Sequence, residues 1–132
     1  MNLTEEERLS LVHYRVSRAF ETWKEVKGIS ESGYWYAAAN RIYYACYYMT
    51  TALLIKNGYS ASTHTGVIRM FGQHFVSKGI VSKELGRLYS SVYELRQSSD
   101  YDDWRVIEEG DILPLLPLVE TFLSTIHSII MK

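Results

Sequence analysis

Apolar residues recur every three or four positions along most of the chain, and this helical spacing most restricts what the chain can fold into. The first series consists of Leu9, Val12, Val16, Ala19, Trp23 and Val26. Such spacing places every member on one face of an α-helix, and no stretch shows the alternation of apolar and polar residues that is typical of strands. Prolines occur only at positions 114 and 117. The pattern predicts an all-α protein.

Capping residues and glycines mark the ends of the first two helices. Thr4 followed by Glu7 is a capping-box pattern, and Gly28 supplies a stop signal for the first helix. The second helix is predicted over residues 34–57. Its apolar seam consists of Ala38, Ile42, Ala45, Met49 and Ala52. Because its other faces are also aromatic or small, we expect this helix to be buried on several sides, against the core or a partner subunit.

Signals in the second half of the chain predict three further helices. The third begins at Ser62 or Thr63, and the fourth begins at Ser82. Six acidic residues between positions 100 and 111 predict an exposed connection after the fourth helix. The fifth helix begins near Pro114 or kinks there, because a proline inside a helix clashes with the preceding turn.

The length and the uniform composition predict one domain over residues 1–132. A chain of 132 residues can bury a core without disulfides, and it contains no internal repeat, low-complexity tract or linker. We expect a single up-and-down helical bundle of about four to five helices. No apolar run approaches the roughly 18 residues of a membrane span, and no basic and apolar leader begins the chain. We therefore expect a soluble, cytoplasmic protein without membrane contact.

Several kinds of site lack their residues in this sequence. Cys46 is the only cysteine, so neither an internal disulfide nor a cysteine-based zinc site can form. No histidine or carboxylate pair has metal-ligand spacing, and no glycine-rich phosphate loop or nucleophile elbow is present. The formal net charge of -1 argues against general binding of polyanions. We expect no metal and no cofactor.

Charge is distributed unevenly along the chain. Between Ser32 and Lys83 there is no aspartate or glutamate, whereas this stretch holds five lysines and arginines and seven of the eleven tyrosines. Basic residues interleaved with rings suit single-stranded nucleic acid, because phosphates take the charge and bases stack on the rings. A buried helix that excludes carboxylates gives the same pattern, so both interpretations stay open.

Two stripes at helical spacing combine an arginine with phenols. They are Ala37, Arg41, Tyr44 and Tyr48 on the second helix and Tyr89, Tyr93, Arg96 and Asp100 on the fourth. A buried arginine must be paired, and Asp100 is a candidate partner for either Arg41 or Arg96. The stripes predict either a structural ion network completed by tyrosine hydroxyls or a phosphate site at the Arg96 guanidinium.

His64 is the best candidate for acid–base chemistry among the four histidines. It lies at the predicted start of the third helix, where an imidazole can be exposed close to backbone donors. The others, His13, His74 and His127, lie within predicted helices and are expected to be packed or surface residues.

Several blocks of the chain, taken in order, resemble the HEPN (higher eukaryotes and prokaryotes nucleotide-binding) domain. They resemble in particular the small stand-alone bacterial and archaeal branch once catalogued as the uncharacterised family UPF0332. The resemblance covers roughly residues 5–130. Its blocks are Asn40-Arg41-Ile42-Tyr43-Tyr44-Ala45, Leu53-Leu54 through Gly58, Thr63-His64-Thr65-Gly66, Phe71, Leu95-Arg96-Gln97 and Asp100-Tyr101.

The resemblance implies a four- or five-helix bundle that forms a homodimer. Many members of the family are encoded beside a minimal nucleotidyltransferase, as toxin and antitoxin or as a two-component transferase. On this basis we expect a nucleotide- or RNA-binding or interaction module that pairs with such a nucleotidyltransferase. The expected site residues are Arg41, Tyr44, Asp100 and Tyr101, together with Arg96 and His64.

Many HEPN domains are metal-independent RNases, and this is an alternative function for the chain. In those members an arginine at the dimer interface holds phosphate, and a histidine four to six residues later moves protons. Arg96 matches the arginine, but residues 97–103 contain no histidine. Loss of such a group typically costs about 100- to 10,000-fold in rate. His64, from the same or the other subunit, is the candidate substitute, so Arg96 and His64 are the candidate catalytic residues.

A third interpretation is a purely structural dimer in which the same residues form a buried network. Pairing distinguishes it from a binding module. Saturation of Arg41 and Arg96 by Asp100 and backbone carbonyls favours the structural interpretation, whereas Arg96 and His64 lining a cleft without a carboxylate partner favours binding.

Overall fold

Six α-helical segments make up most of the computed structural model, which describes residues 3–132. They are α1 (Glu5–Glu31), α2 (Trp35–Lys56), α3 (His64–Phe71), α4 (Lys83–Tyr101), α5 (Glu109–Ile112) and α6 (Leu115–Ile130). A π-helical turn, Gly72–Val76, continues α3. No strand occurs within residues 3–132, so the predicted all-α bundle is confirmed.

The start of α1 follows its sequence signal, but the end does not. Thr4 Oγ1 accepts from the Glu7 backbone N–H, and Glu7 Oε1 accepts from the Thr4 N–H, both at 3.0 Å. The predicted stop at Gly28 is wrong, because α1 continues to Glu31. Gly33, with a φ of 77°, is the residue that reverses the chain. A glycine within a helix, such as Gly28, does not by itself end the helix. The left-handed backbone conformation at Gly33, in contrast, strongly favours glycine, and this is where the chain turns.

The later helices begin where their caps predict. Thr63 Oγ1 accepts from the Gly66 N–H at 2.9 Å, and Ser82 Oγ accepts from the Leu85 N–H at 3.2 Å. Because α6 begins directly after Pro114, Pro117 falls in its first turn, where a missing N–H costs nothing.

The predicted exposed connection from Asp100 onwards begins too early. α4 continues through Tyr101, so Asp100 and Tyr101 lie in its last turn and the connection covers residues 102–108. Asp100 pairs with Arg96 one turn earlier, and this contact stabilises the end of the helix.

α2 forms the centre of the bundle. It packs against α1, α4 and α6 and also contacts α3 and α5. Its fully buried side chains include Ile42, Tyr43, Met49 and Leu53. Cys46 is buried among them, and burial raises the pKa of its thiol, which therefore stays protonated. The expectation of a second helix buried on several sides is confirmed.

The stretch Glu109–Ile130, which comprises α5 and α6, is long and apolar enough to cross a membrane by length and composition, with a mean hydropathy of 1.5. This is weak support for a span, because core helices of soluble proteins meet the same criterion. The α6 side chains buried in the bundle are Val119, Phe122, Leu123, Ile126 and Ile130. Glu120 and Ser124 are exposed on its other face, which is the amphipathic pattern of a packed helix. The absence of membrane contact stays a prediction.

Two glycines at the end of α1 allow a matched test of these helix limits. Gly28→Ala should raise the free energy of unfolding by about 0.5–1 kcal/mol, because Gly28 is helical and a Cβ there meets nothing within 4 Å. Gly33→Ala should lower it by about 1–2 kcal/mol, because an L-residue is strained at that φ. Urea unfolding followed by circular dichroism measures both. A stabilised Gly33→Ala variant would contradict the assignment.

Candidate functional site

Polar stripes of α1 and α2 meet along one partly exposed side of the bundle. They are Tyr14, Arg18, Glu21 and Glu25 on α1 and Ala37, Arg41, Tyr44 and Tyr48 on α2. The Arg18 guanidinium carbon lies 5.2 Å from the Tyr48 ring centroid, and Arg41 Nη1 lies 3.7 Å from Glu25 Oε2. Each arginine therefore faces a ring or a carboxylate of the neighbouring helix.

Arg96 of α4 lies beside this stripe, among tyrosine rings. Its side chain is 13% exposed. The guanidinium carbon lies 5.5 Å from the ring centroid of Tyr44 and 5.7 Å from those of Tyr43 and Tyr101. Nη2 also donates to the Tyr44 hydroxyl at 3.4 Å. A cation over an aromatic face gains about 0.5–2 kcal/mol, so three rings hold this guanidinium in place.

Asp100 is the carboxylate partner of Arg96, not of Arg41. Asp100 Oδ2 lies 2.9 Å from Arg96 Nε, but the N–H does not point at it, so the contact is an ion pair without a hydrogen bond. Arg41 instead donates to Asn40 Oδ1 at 3.1 and 3.2 Å and lies near Glu25. Within residues 3–132, neither guanidinium donates to a backbone carbonyl. The structural interpretation expects Asp100 and backbone carbonyls to saturate both arginines, which they do not. The binding interpretation expects Arg96 to have no carboxylate partner, but it has Asp100.

His64 contacts the same tyrosines from the start of α3. Its Nδ1 lies 2.6 Å from the Tyr43 hydroxyl, and its ring centroid lies 4.7 Å from that of Tyr47. Burial raises the pKa of the Tyr43 phenol, which stays protonated and can donate to Nδ1. Burial and, secondarily, the Arg96 charge lower the pKa of His64 from 6.5. The imidazole is therefore neutral near pH 7, and the direction of its hydrogen bond with Tyr43 decides which ring nitrogen carries the proton.

The six predicted site residues form one group. Arg96 and His64 both contact the rings of Tyr43 and Tyr44, and Arg41 lies 5.2 Å from the Tyr44 ring centroid. Tyr101 covers Arg96 and is 72% exposed. Together with Tyr43, which contacts both Arg96 and His64, these six residues make up what we call the Arg96 cluster: Arg41, Tyr43, Tyr44, His64, Arg96, Asp100 and Tyr101. The roles of its members stay predictions.

The structure adds residues that sequence reasoning missed. Arg18 and Glu25 of α1 extend the cluster, and the 4,3,4 spacing of their stripe is a signal that could have found them. Tyr43 and Tyr47 contact His64, but a ring on a largely apolar helix reads as an ordinary core residue. No sequence signal distinguishes them.

The Arg96 cluster lies on a surface and not in an enclosed pocket. A groove of about 510 Å³ lies elsewhere, between α3 and the outer face of α4, and is lined by residues such as Phe71, Lys83 and Arg87. In the described range, no three histidine, cysteine or acidic side chains are grouped to hold a metal ion. The cluster and the α1 side chains beside it extend over α1, α2, α3 and α4.

Comparison with protein families agrees with this architecture. The family model of the HEPN domain matches residues 12–129 of the chain. The chain belongs to the HEPN family. This confirms the resemblance seen in the sequence, and the matched range includes the whole Arg96 cluster.

Several relatives cover most of this HEPN protein. A UPF0332 protein of Thermotoga maritima is 36% identical over 124 residues, which are 94% of this chain and 94% of the relative. A protein of Methanocaldococcus jannaschii named a putative toxin is 34% identical over 91 residues, 69% of this chain and 68% of the relative. A second protein of that organism with the same designation is 28% identical over 109 residues, 83% of this chain and 74% of the relative.

The lowered pKa of His64 gives a direct test of the cluster geometry. In Arg96→Met the pKa of His64 should rise towards 6.5, because the guanidinium no longer repels the imidazolium. Arg87→Met, at an exposed position of the same helix, should leave it unchanged. Titration of the imidazole signals by NMR measures both.

The same pKa shift sets the sign of a stability change. Because the folded-state pKa lies below the unfolded value of 6.5, protonation disfavours the fold. The stabilisation from neutral His64 is fully present above pH 6.5 and declines as the pH falls through the lowered pKa. A pKa of His64 at or above 6.5 in the wild type would contradict the structure.

Proposed function

We propose that this HEPN protein binds phosphate groups of a nucleotide or of RNA at the Arg96 cluster, as the toxin member of a pair with a minimal nucleotidyltransferase. The observation that carries the proposal is the Arg96 guanidinium, held among three tyrosine rings at the bundle surface. Family membership and two relatives named putative toxins support the toxin assignment.

The donors of Arg96 support a phosphate ligand. A guanidinium carries five N–H groups in a planar fork that matches phosphate oxygens. Among residues 3–132, Arg96 donates hydrogen bonds only to Tyr44 and Gln97, both at 3.4 Å, which is long for a charged donor. Arg41 lies 5.2 Å from the Tyr44 ring centroid and adds a second positive charge, which is partly compensated by Glu25. The Arg96 guanidinium can therefore exchange these long hydrogen bonds for shorter ones to the oxygens of a bound phosphate.

The exposed ring of Tyr101 supports a ligand that carries a base. It covers Arg96 while remaining 72% exposed, so a base can stack on its free face as a phosphate meets the guanidinium. Asp100 opposes this ligand, because its carboxylate competes with phosphate for Arg96. The balance between Asp100 and the incoming anion sets the affinity.

A second candidate function, metal-independent RNA cleavage, is favoured by the position of His64. The imidazole and the Arg96 guanidinium contact the same two tyrosines, Tyr43 and Tyr44, although they lie on different helices. In the tautomer whose Nδ1–H donates to the Tyr43 hydroxyl, the free Nε2 of the neutral imidazole can accept the proton of a ribose 2'-hydroxyl while the guanidinium stabilises charge on the phosphate. His64 would then replace the histidine that is absent after Arg96.

Two charge substitutions on α4 should move RNA affinity in opposite directions. Arg96→Met should weaken binding of a labelled single-stranded RNA about 10- to 100-fold, the loss expected for one charge-assisted contact. Asp100→Asn should strengthen binding, because it removes the competing carboxylate. Fluorescence anisotropy measures both, with Arg87→Met and Glu94→Gln as controls that make the same charge changes at exposed positions of α4.

The outcomes separate the three interpretations. If Asp100→Asn destabilises the protein and leaves RNA affinity unchanged, the Arg96–Asp100 pair is structural and the proposal is wrong. RNA incubated with the wild type, Arg96→Ala or His64→Ala is also analysed on denaturing gels. Cleavage that is lost in both Arg96→Ala and His64→Ala supports the RNase function, whereas equal cleavage by the wild type and both variants excludes these residues.

Two measurements test the proposed partners, which are a second copy of the chain and a nucleotidyltransferase. We expect a homodimer, so light scattering should give about twice the chain mass of 15.3 kDa, and a mass near 15 kDa at every concentration would contradict it. Purification from the native cytosol followed by mass spectrometry should recover a nucleotidyltransferase. Recovery of the protein alone and free of nucleotide would count against the pairing.

A further inference from the structure

Arg8 and Arg15 of α1 are partly buried arginines whose charges have no partner. The structure gives neither one a carboxylate within 4.0 Å or a side-chain hydrogen bond among residues 3–132, and Arg15 Nε is fully buried without an acceptor. By contrast, each of Arg18, Arg41 and Arg96 has a carboxylate partner. Among residues 3–132, Arg15 Nε is the atom of these two side chains that is withdrawn from water without an acceptor, which is unfavourable, whereas Arg8 is only partly buried.

Both arginines line small cavities that meet at one loop. Arg8 lines a cavity of about 40 Å³, and Arg15 lines one of about 90 Å³. The two cavities share Ile55, Tyr59 and Ser60, which lie at the end of α2 and in the following loop. No acidic residue lines either cavity. Their polar groups are the two guanidinium groups and hydroxyls, which are donors suited to an anion.

The size and spacing of these cavities favour a polymer of phosphates. Both cavities are small, so a compact group such as a phosphate suits them better than a nucleobase. Arg8 and Arg15 are seven residues apart, which is two helical turns or about 10 Å along one face of α1. Two anionic groups at that separation are what the backbone of a single strand supplies.

Tyr47 connects this face to the Arg96 cluster. It lines the cavity of Arg15, and its ring centroid lies 4.7 Å from that of His64 and 5.9 Å from that of Tyr44. A continuous surface of arginines and rings therefore runs from Arg8 past Arg15 and Tyr47 to His64.

We propose that Arg8 and Arg15 form a second phosphate site, which holds the backbone of an RNA strand that also occupies the Arg96 cluster. This inference rests on the proposed RNA-binding function and adds a length requirement to it. A short oligonucleotide occupies the Arg96 cluster alone, whereas a longer one also places its phosphates beside Arg8 and Arg15.

The test compares RNA length and salt dependence in matched double variants. Arg8→Met with Arg15→Met removes both charges and keeps unbranched side chains, and Arg69→Met with Arg87→Met makes the same charge change at exposed positions. Single-stranded RNAs of about 4 and about 12 nucleotides are compared by fluorescence anisotropy. The first variant should bind the longer RNA about tenfold or more weakly and the shorter one unchanged. For the longer RNA, the plot of the logarithm of the binding constant against the logarithm of the salt concentration should have a slope that is shallower by about 1.4 in this variant. Each phosphate of a single strand that a protein neutralises contributes about 0.7 to that slope.

A second measurement separates this site from the RNA function. With the Arg96 cluster disabled by Arg96→Met in every sample, pyrophosphate should raise the melting temperature of that single variant and of its Arg69/Arg87 derivative but not of its Arg8/Arg15 derivative. Without phosphate, the Arg8/Arg15 variant should be at least as stable as the wild type, because it loses unpaired charges; marked destabilisation would show a structural role.

The combined outcomes are decisive. If Arg96→Met weakens RNA binding and the Arg8/Arg15 variant matches the wild type in length and salt dependence, the second site is wrong and the proposed function stands. If the wild type binds neither RNA but responds to pyrophosphate through Arg8 and Arg15, the phosphate site is established. In that case the RNA function and the strand path both fail.

Discussion

The enclosure of α2 by the other helices is the constraint on which the rest of the structure depends. A helix buried on most sides excludes carboxylates, and the whole stretch between Ser32 and Lys83 contains none. Counter-charges for its arginines therefore come from neighbouring helices, as Glu25 of α1 does for Arg41. Tyrosines fill the space between these charges, because one ring supplies both packing area and a hydroxyl. The tyrosine excess follows from this arrangement.

Helix starts could be predicted from the sequence because their signals are local. Thr4, Thr63 and Ser82 each accept a hydrogen bond from a backbone N–H three residues later, which depends on nothing beyond one turn. Helix ends depend on tertiary contacts. Gly28 is a residue that often ends a helix, yet α1 continues to Glu31 while it packs along α2. The acidic residues after Ser99 predict an exposed connection, but Asp100 forms an ion pair with Arg96 within α4, so the helix continues to Tyr101.

The site was predictable as a set of candidates and not as a set of contacts. Helical spacing places Arg41 with Tyr44, and Arg96 with Asp100, on single faces. Which faces meet depends on how the helices rotate and pack, so the choice of Glu25 as the Arg41 partner could not be made in advance. The unpaired state of Arg8 is a property of packing, because Glu5 lies three residues before it without forming an ion pair, whereas Arg18 pairs with Glu21 three residues later. Arg15 has no acidic residue three or four positions away, so its lack of a partner within the helix can be read from the sequence.

Because the carboxylate of Asp100 already pairs with Arg96, an incoming anion must carry enough negative charge to compete with it. An arriving anion gains only the difference between its own attraction to the guanidinium and that of the carboxylate already 2.9 Å away. A terminal phosphate with two negative charges gains more from this exchange than a backbone diester with one. If the cluster binds phosphate as proposed, Asp100 acts as an internal competitor that favours strand ends over strand interiors at Arg96, without itself contacting the ligand.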